Sequence, residues 1–182
     1  MFIQTEQTPN PATLKFLPGC PVMSSGTANF PDAASAAARS PLAERLFALP
    51  EVGGVFLGGD FITVTKSGGS DWLDLKPAVL TAIMDHFTSG QPVVTGEQRA
   101  NDADAEDDEV VAAIKELLET RVRPAVAQDG GDIIFEDFED GIVYLHMQGS
   151  CSGCPSSTAT LKAGIENMLR HYIPEVLEVR AV

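Results

Sequence analysis

The stretch of residues 96–108 limits what this chain can fold into more than any other feature of the sequence. It contains six acidic residues, one basic residue and no large apolar side chain. Such a segment cannot bury itself, and its like charges repel one another. We therefore predict a flexible acidic linker at 96–108, which joins an N-terminal α+β domain, residues 1–95, to a C-terminal α+β domain, residues 109–182.

The net charge of −14 restricts the partners of the chain. Nucleic-acid-binding proteins present basic surfaces to phosphates, and juxtamembrane segments use basic clusters. The sequence contains no cluster of lysines and arginines, so we expect neither nucleic acid nor a membrane as a partner. No uncharged apolar run approaches the ~18 residues of a transmembrane helix. The first residues do not resemble a signal or transit peptide, which predicts a bacterial-type cytoplasmic protein rather than a mitochondrial-matrix protein.

The N-terminal domain combines strand and helix patterns. Ser40 followed by Pro41 predicts a helix start, because serine caps helices and proline suits their first position. Apolar residues at helical spacing predict a longer helix at 72–88, where Pro77 must lie in the first turn or bend the helix. Runs of β-forming residues predict strands at 2–6, 13–17, 52–57 and 61–65, of which the last two form a hairpin.

The C-terminal domain has a clearer pattern, of order α-β-β-α-β. Asp140-Gly141 is typical of a tight turn between two antiparallel strands. The predicted elements are a helix through 110–126, strands at 133–138 and 142–147, a helix ended by Pro174, and a strand at 176–179. This order places Cys151 and Cys154 between a strand and the start of the second helix.

The pair Cys151 and Cys154 can grip one metal atom, because a Cys-x-x-Cys turn brings two thiols close together. The positive end of the following helix is expected to lower the pKa of these thiols and to favour the thiolate, which is the form that binds metal. The residues alone leave several interpretations open, namely an iron–sulfur cluster, structural zinc, dithiol–disulfide exchange, or two inert buried thiols. We expect no parallel βαβ unit in this domain, which argues against the thioredoxin-like redox alternative.

Counting ligands indicates a site shared between two chains. Zinc and the common clusters take about four protein ligands. Cys20 belongs to the other domain, and we interpret it as incidental. His146 would need a sharp turn to reach the same metal and is better interpreted as a strand side chain. The simplest solution is a symmetric homodimer in which each copy supplies Cys151 and Cys154.

Three further groups of residues are candidate sites. The segment Asp129–Asp132 is interpreted chiefly as a glycine turn, with a role in shaping the cysteine loop or the dimer contact as the alternative. His86 and His171 are predicted to lie on helix surfaces, and Trp72 to pack near a helix start. No nucleophile with a base and an orienting group is evident, so we predict that the chain is not an enzyme.

The sequence resembles the Nfu-type, NifU-like iron–sulfur cluster scaffold proteins over essentially its whole length outside the acidic segment. In the C-terminal domain the resemblance rests on Arg123-Pro124, Asp129–Asp132 and the run Gly149–Ser157, which contains both cysteines. In the N-terminal domain it rests on Phe2–Thr5, Thr8–Pro11, Leu14–Phe16 and Pro18-Gly19. Cys20 departs from the family's pattern.

The resemblance implies a carrier that holds a [4Fe–4S] cluster, with [2Fe–2S] as the alternative, through Cys151 and Cys154 of two subunits. It implies that upstream assembly proteins supply the cluster and that apo iron–sulfur proteins receive it. It also implies that the N-terminal domain contacts partner proteins.

Overall fold

The computed structural model describes residues 2–95, 108–151 and 155–182, with the backbone alone at 155–158. The chain divides into two compact α+β units, Met1–Arg99 and Ala100–Val182. Nearly all of the predicted linker lies outside the described residues, so its flexibility stays a prediction. Within the described part, no helix is both long and apolar enough to cross a membrane.

The first unit is an antiparallel sheet of five strands packed with three helices. A single apolar cluster joins sheet and helices, with Phe16, Phe30 and Ile83 almost fully buried in it. The elements are β1 Gln4–Gln7, β2 Thr13–Leu17, β3 Ala28–Phe30, α1 Ala33–Arg39, α2 Pro41–Phe47, β4 Val52–Leu57, β5 Ile62–Lys66 and α3 Trp72–Ser89. The strands lie in the sheet in the order β1-β2-β5-β4-β3.

The start of α2 confirms the cap that the sequence predicts. The Ser40 hydroxyl oxygen accepts a hydrogen bond from the Ala43 N–H at 3.0 Å, and the hydroxyl donates to the Val93 carbonyl at 2.6 Å. The same serine therefore caps α2 and ties it to the segment that follows α3. The sequence patterns did not predict β3 and α1, since β3 is only three residues long and the alanine-rich α1 buries only Ala36.

Helix α3 covers the predicted range and differs from the prediction in the burial of one residue. Pro77 lies in its second turn, which excludes the first of the two alternatives predicted for this proline. His86, predicted to be a surface residue, is completely buried, so that prediction was wrong. The error arises because the buried face of α3 is wide enough to include position 86 together with Val79 and Ile83. Trp72 packs against Phe16 as expected, with ring centroids 6.4 Å apart.

The second unit has the predicted order α-β-β-α-β. Its first helical segment is α4 Glu109–Leu117, a π-helical turn at Leu118–Val122 and α5 Arg123–Gln128. Pro124 lies at the start of α5, where it has no N–H to donate to the preceding turn, which is consistent with the wider π turn before it. The remaining elements are β6 Gly131–Glu139, β7 Ile142–Gly149, α6 Pro155–Tyr172 and β8 Glu178–Ala181.

The turn between β6 and β7 confirms the Asp-Gly signal. Asp140 and Gly141 both have positive φ, 50° and 79°, as a two-residue hairpin turn of type I′ requires. The strands form the order β6-β7-β8. Antiparallel β6 and β7 pair from Gly131 opposite Gly149 to Glu139 opposite Ile142.

Strand β8 runs parallel to β7, its neighbour in the sheet. Helix α6 is therefore the crossover of a parallel βαβ unit, and the expectation that the domain lacks one was wrong. The order of elements was read correctly, but order alone does not fix strand direction. A helix between two neighbouring strands returns the chain to the end of the sheet where the first strand began, which makes the strands parallel.

Candidate metal centre at Cys151

Cys151 follows the end of β7 and is only 7% exposed. It belongs to the apolar core of the second unit, with Met147, Ile133 and Val126 among its members. The strand fixes its starting direction, since β7 is paired with β6 up to Gly149. Cys151 itself lies in the turn just beyond this paired strand.

Gly131 forms one wall of the site. A Cβ atom at this position would lie 2.6 Å from the Cys151 Sγ, 2.9 Å from the Gln148 carbonyl oxygen and 3.1 Å from the Cys151 nitrogen. Any side chain would overlap both the sulfur and the backbone beside it. Glycine is therefore required at position 131 because the cysteine packs directly on the backbone there.

Ser150 joins the cysteine turn to the segment that precedes β6. Its hydroxyl donates a short hydrogen bond to the Asp129 carbonyl, and its N–H donates to the Gly130 carbonyl at 3.3 Å. The residue is 2% exposed. The glycine turn at Asp129–Asp132 therefore positions Ser150, the residue before Cys151, as expected if the turn shapes the cysteine loop; residues 152–154 of that loop lie outside the described residues.

Asp132 and Arg123 form a bidentate ion pair beneath this turn. The Arg123 Nε and Nη2 atoms donate to the two Asp132 carboxylate oxygens, each at 2.9 Å. Asp132 also accepts a hydrogen bond from the Ile133 N–H at 2.8 Å, and its side chain is only 4% exposed. The pair raises the pKa of Arg123 and connects the start of α5 to the start of β6, on either side of the glycine turn.

Burial raises the pKa of Cys151 to about 11, and the nearby Asp129 and Asp132 carboxylates act in the same direction against a hydrogen bond from Ser150. The prediction of a lowered thiol pKa was therefore wrong for this cysteine. Desolvation in an apolar core outweighs the attraction of a helix end that begins only at Pro155. The free thiol is neutral at pH 7, so a metal would have to displace its proton.

The other predicted site residues are only partly located. Cys154 lies outside the described residues, so its pairing with Cys151 stays a prediction. His146 lies in β7 opposite Ile134, three positions along the strand from the Gly131 wall, which is about 10 Å. Its ring lies on the sheet face opposite the buried Met147, and Nδ1 is 3.2 Å from the Val182 carbonyl. His146 is thus a strand side chain, as interpreted.

The described residues do not provide a complete metal site within one chain. Residues 2–95, 108–151 and 155–182 contain no group of three or more His, Cys, Asp or Glu placed to hold an ion. Cys20 is half-buried and belongs to the first unit.

Comparison with known proteins identifies the class to which this fold and site belong. Residues 3–90 match the family described as "Scaffold protein Nfu/NifU N terminal", and residues 114–180 match the "NifU-like domain". Both matched regions coincide with α+β units, and the second contains the buried cysteine.

Curated relatives match this chain over all or nearly all of its length. A human protein named "NFU1 iron-sulfur cluster scaffold homolog, mitochondrial" is 59% identical over 184 residues, which cover 100% of this chain and 72% of the relative. "NifU-like protein 4, mitochondrial" of Arabidopsis thaliana is 56% identical over 182 residues, covering 97% of this chain and 64% of the relative. The chain belongs to the Nfu-type family of NifU-like iron–sulfur cluster scaffold proteins.

Comparison with solved structures finds a match to part of the chain. A NifU-like protein from Saccharomyces cerevisiae is 26% identical and covers 53% of this chain and 87% of its own, at a TM-score of 0.48.

The prediction of a bacterial-type cytoplasmic protein was wrong. Relatives at 54–59% identity over the whole chain carry the word "mitochondrial" in their names, as do NifU-like proteins 4 and 5 of Arabidopsis thaliana, which match 97% of the chain. The prediction relied on the first residues of the sequence. Those residues cannot decide the matter, because the chain spans 62–72% of the length of these relatives.

Sequence reasoning missed two features of the site. The Arg123–Asp132 pair could have been suspected, since an arginine and an aspartate flank a glycine turn, but nothing in the spacing indicated that they meet. Ser150 gave no signal of its own, because serine beside a cysteine is common in turns. Only the tertiary contact with Asp129 reveals its place in the site.

Proposed function

We propose that this chain carries an iron–sulfur cluster as cargo, bound by Cys151 and Cys154 of two copies in a homodimer. The cluster is proposed to be [4Fe–4S], with [2Fe–2S] as the alternative. The observation that supports this most is the Cys151 sulfur, packed on the Gly131 backbone where β7 leads towards α6, in a family of cluster scaffolds. Four thiolates match the ligand set that such clusters take.

In this proposal the cluster is transferred by ligand exchange. The chain receives the cluster from an assembly protein, and thiolates of an apo-protein then replace those of Cys151 and Cys154. Each iron–sulfur bond to Cys151 or Cys154 that breaks is replaced by one to the apo-protein, and the cluster itself is unchanged, so in this proposal the chain acts as a carrier and not as an enzyme. The raised pKa of Cys151 suits release, because a departing sulfur readily takes a proton at neutral pH and is then a poor ligand.

Dithiol–disulfide exchange is the main alternative, and the structure changes the arguments about it. The parallel βαβ unit removes one objection, because thioredoxin-like proteins contain such a unit. The environment of Cys151 gives a different objection to the redox alternative. Reactive dithiols are accessible and have lowered pKa values, whereas Cys151 is buried and its pKa is about 11. A zinc-stabilised module remains the third alternative, to be decided by metal analysis.

Anaerobic reconstitution with iron and sulfide tests the proposal. The expected result is about two irons and two sulfides per chain, a broad absorption band near ~400 nm and the mass of a dimer. About one iron and one sulfide per chain in a dimer would indicate a shared [2Fe–2S] cluster. Protein that takes up zinc but no iron, or that catalyses disulfide reduction, would refute the carrier.

Three cysteine variants give this test its controls. Cys151→Ser and Cys154→Ser each remove half of the proposed ligands from a symmetric dimer, so we expect iron uptake to fall to background in both. Cys20→Ser is the matched control, since Cys20 lies in the other unit, and we expect wild-type iron content. Iron retained by Cys151→Ser would show that the assignment of ligands is wrong.

A further inference from the structure

Ser150 lies in a turn, yet it makes two hydrogen bonds to a segment that is distant in the chain. It is 2% exposed, its hydroxyl donates to the Asp129 carbonyl and its N–H donates to the Gly130 carbonyl. Both contacts reach back about twenty residues along the chain, to the turn whose next residue, Gly131, forms the wall against the Cys151 sulfur. Cys151 is therefore fixed from two sides, by the residue before it and by the backbone opposite it.

We infer that Ser150 is a positioning residue for the cluster, whose hydroxyl holds the Cys151 sulfur in the orientation that binds iron. This inference rests on the proposed function. A hydroxyl has one proton to donate and two lone pairs to accept. Its one proton goes to the Asp129 carbonyl, so the turn is already ordered in the chain without metal. A turn that is already ordered in the free chain reduces the entropic cost of binding the cluster.

The contacts of Ser150 also determine where the sulfur lies, because Cys151 is the next residue and its sulfur packs on the Gly131 backbone. Hydrogen bonding and solvent exposure around the ligand sulfurs are among the means by which proteins tune clusters. Loss of this hydroxyl is therefore expected to change the bound cluster itself, which a purely structural serine in the same unit would not do.

The test compares Ser150→Ala with Ser40→Ala in the full chain. Ser40 is a matched control because it is also buried, at 1% exposure, and its hydroxyl also donates to a distant backbone carbonyl, that of Val93. It belongs to the first unit. Hydrogen–deuterium exchange on the apo chain measures order at residue 150, after correction for the intrinsic rate of each side chain. Cluster loss to an iron chelator and the visible circular-dichroism spectrum measure the effect on the cargo.

We expect Ser150→Ala to speed exchange of the residue-150 amide about fivefold, the equivalent of one lost hydrogen bond of about 1 kcal/mol. Exchange at Ile133 and Leu145, in the paired strands β6 and β7, should stay within about twofold of wild type. Cluster loss should accelerate by a similar factor of about five, and the visible circular-dichroism spectrum should change. Ser40→Ala should alter neither the exchange at residue 150 nor the cluster.

Four results would overturn the inference. Unchanged exchange would show that Ser150 does not order the turn, and equal acceleration at Ile133 and Leu145 would show a loss of the whole unit rather than of position. Faster exchange at residue 150, with cluster loss and a visible circular-dichroism spectrum like those of the wild type, would show that an ordered turn does not affect cluster binding. If the wild type itself binds no iron, the proposed function fails and this inference fails with it. If the wild type binds the cluster and Ser150→Ala retains it equally well, this inference alone is overturned.

Discussion

Gly131→Ala is the sharpest test of how the site is built, because a single methyl group is added at its tightest contact. The new Cβ would lie 2.6 Å from the Cys151 sulfur and 2.9 Å from the Gln148 carbonyl oxygen. Carbon needs about 3.5 Å or more from such atoms, so the sulfur has to move by roughly 1 Å. The second contact is with backbone, which cannot rotate away, so the end of β7 must also shift.

Overpacking of this kind typically costs 1–3 kcal/mol, and we expect the second unit to lose about 2 kcal/mol of unfolding free energy. The displaced sulfur should also bind the cluster poorly, so we expect less than half of the wild-type iron after reconstitution. Urea unfolding followed by far-ultraviolet circular dichroism measures the stability. Trp72 is the single tryptophan and lies in the first unit, so its fluorescence separates the unfolding of that unit from the unfolding of the second.

Gly164→Ala is the matched control for this experiment. Gly164 is in α6, and a Cβ there would meet nothing within 4 Å. Alanine is the better helix former by about 0.5–1 kcal/mol, so the same chemical change should stabilise the unit and leave iron content unchanged. If Gly131→Ala leaves both the urea midpoint and the iron content at wild-type values, the packing argument for position 131 is refuted.

Two other positions give predictions that do not require the cluster. Asp132→Asn should cost the second unit about 2 kcal/mol, because hydrogen bonds to a charged group are worth about 1.5–3 kcal/mol and Arg123 loses its bidentate partner; urea unfolding that shows no loss would contradict this. His86 is fully buried, and burial, together with the charge of Arg45, lowers its pKa from 6.5 against the opposite effect of a hydrogen bond with the Gln91 backbone. The folded state excludes a proton that the unfolded state takes up, so the first unit should lose stability as pH falls below about 6.5, by up to about 1.4 kcal/mol per pH unit. His86→Met should flatten this slope in unfolding curves followed by Trp72 fluorescence, and a slope that survives the substitution would assign it to other groups.

Sequence patterns predicted most of the elements and failed where packing decides the outcome. Ser40-Pro41 and Asp140-Gly141 were interpreted correctly because capping and turn geometry are local. The burial of His86 was missed, since the width of a buried helix face depends on what packs against it. The direction of β8 was also missed, because element order does not state which strands become neighbours.

The sequence by itself determined the α+β character of both domains, the position of the cysteine pair between a strand and a helix, and the family, because these depend on local chemistry and on motif. The tertiary structure decided the environment of Cys151. Its pKa is raised rather than lowered, since desolvation depends on which residues surround the sulfur in space. Gly131, Ser150 and the Arg123–Asp132 pair form the site only after β6 pairs with β7 and brings segments about twenty residues apart into contact.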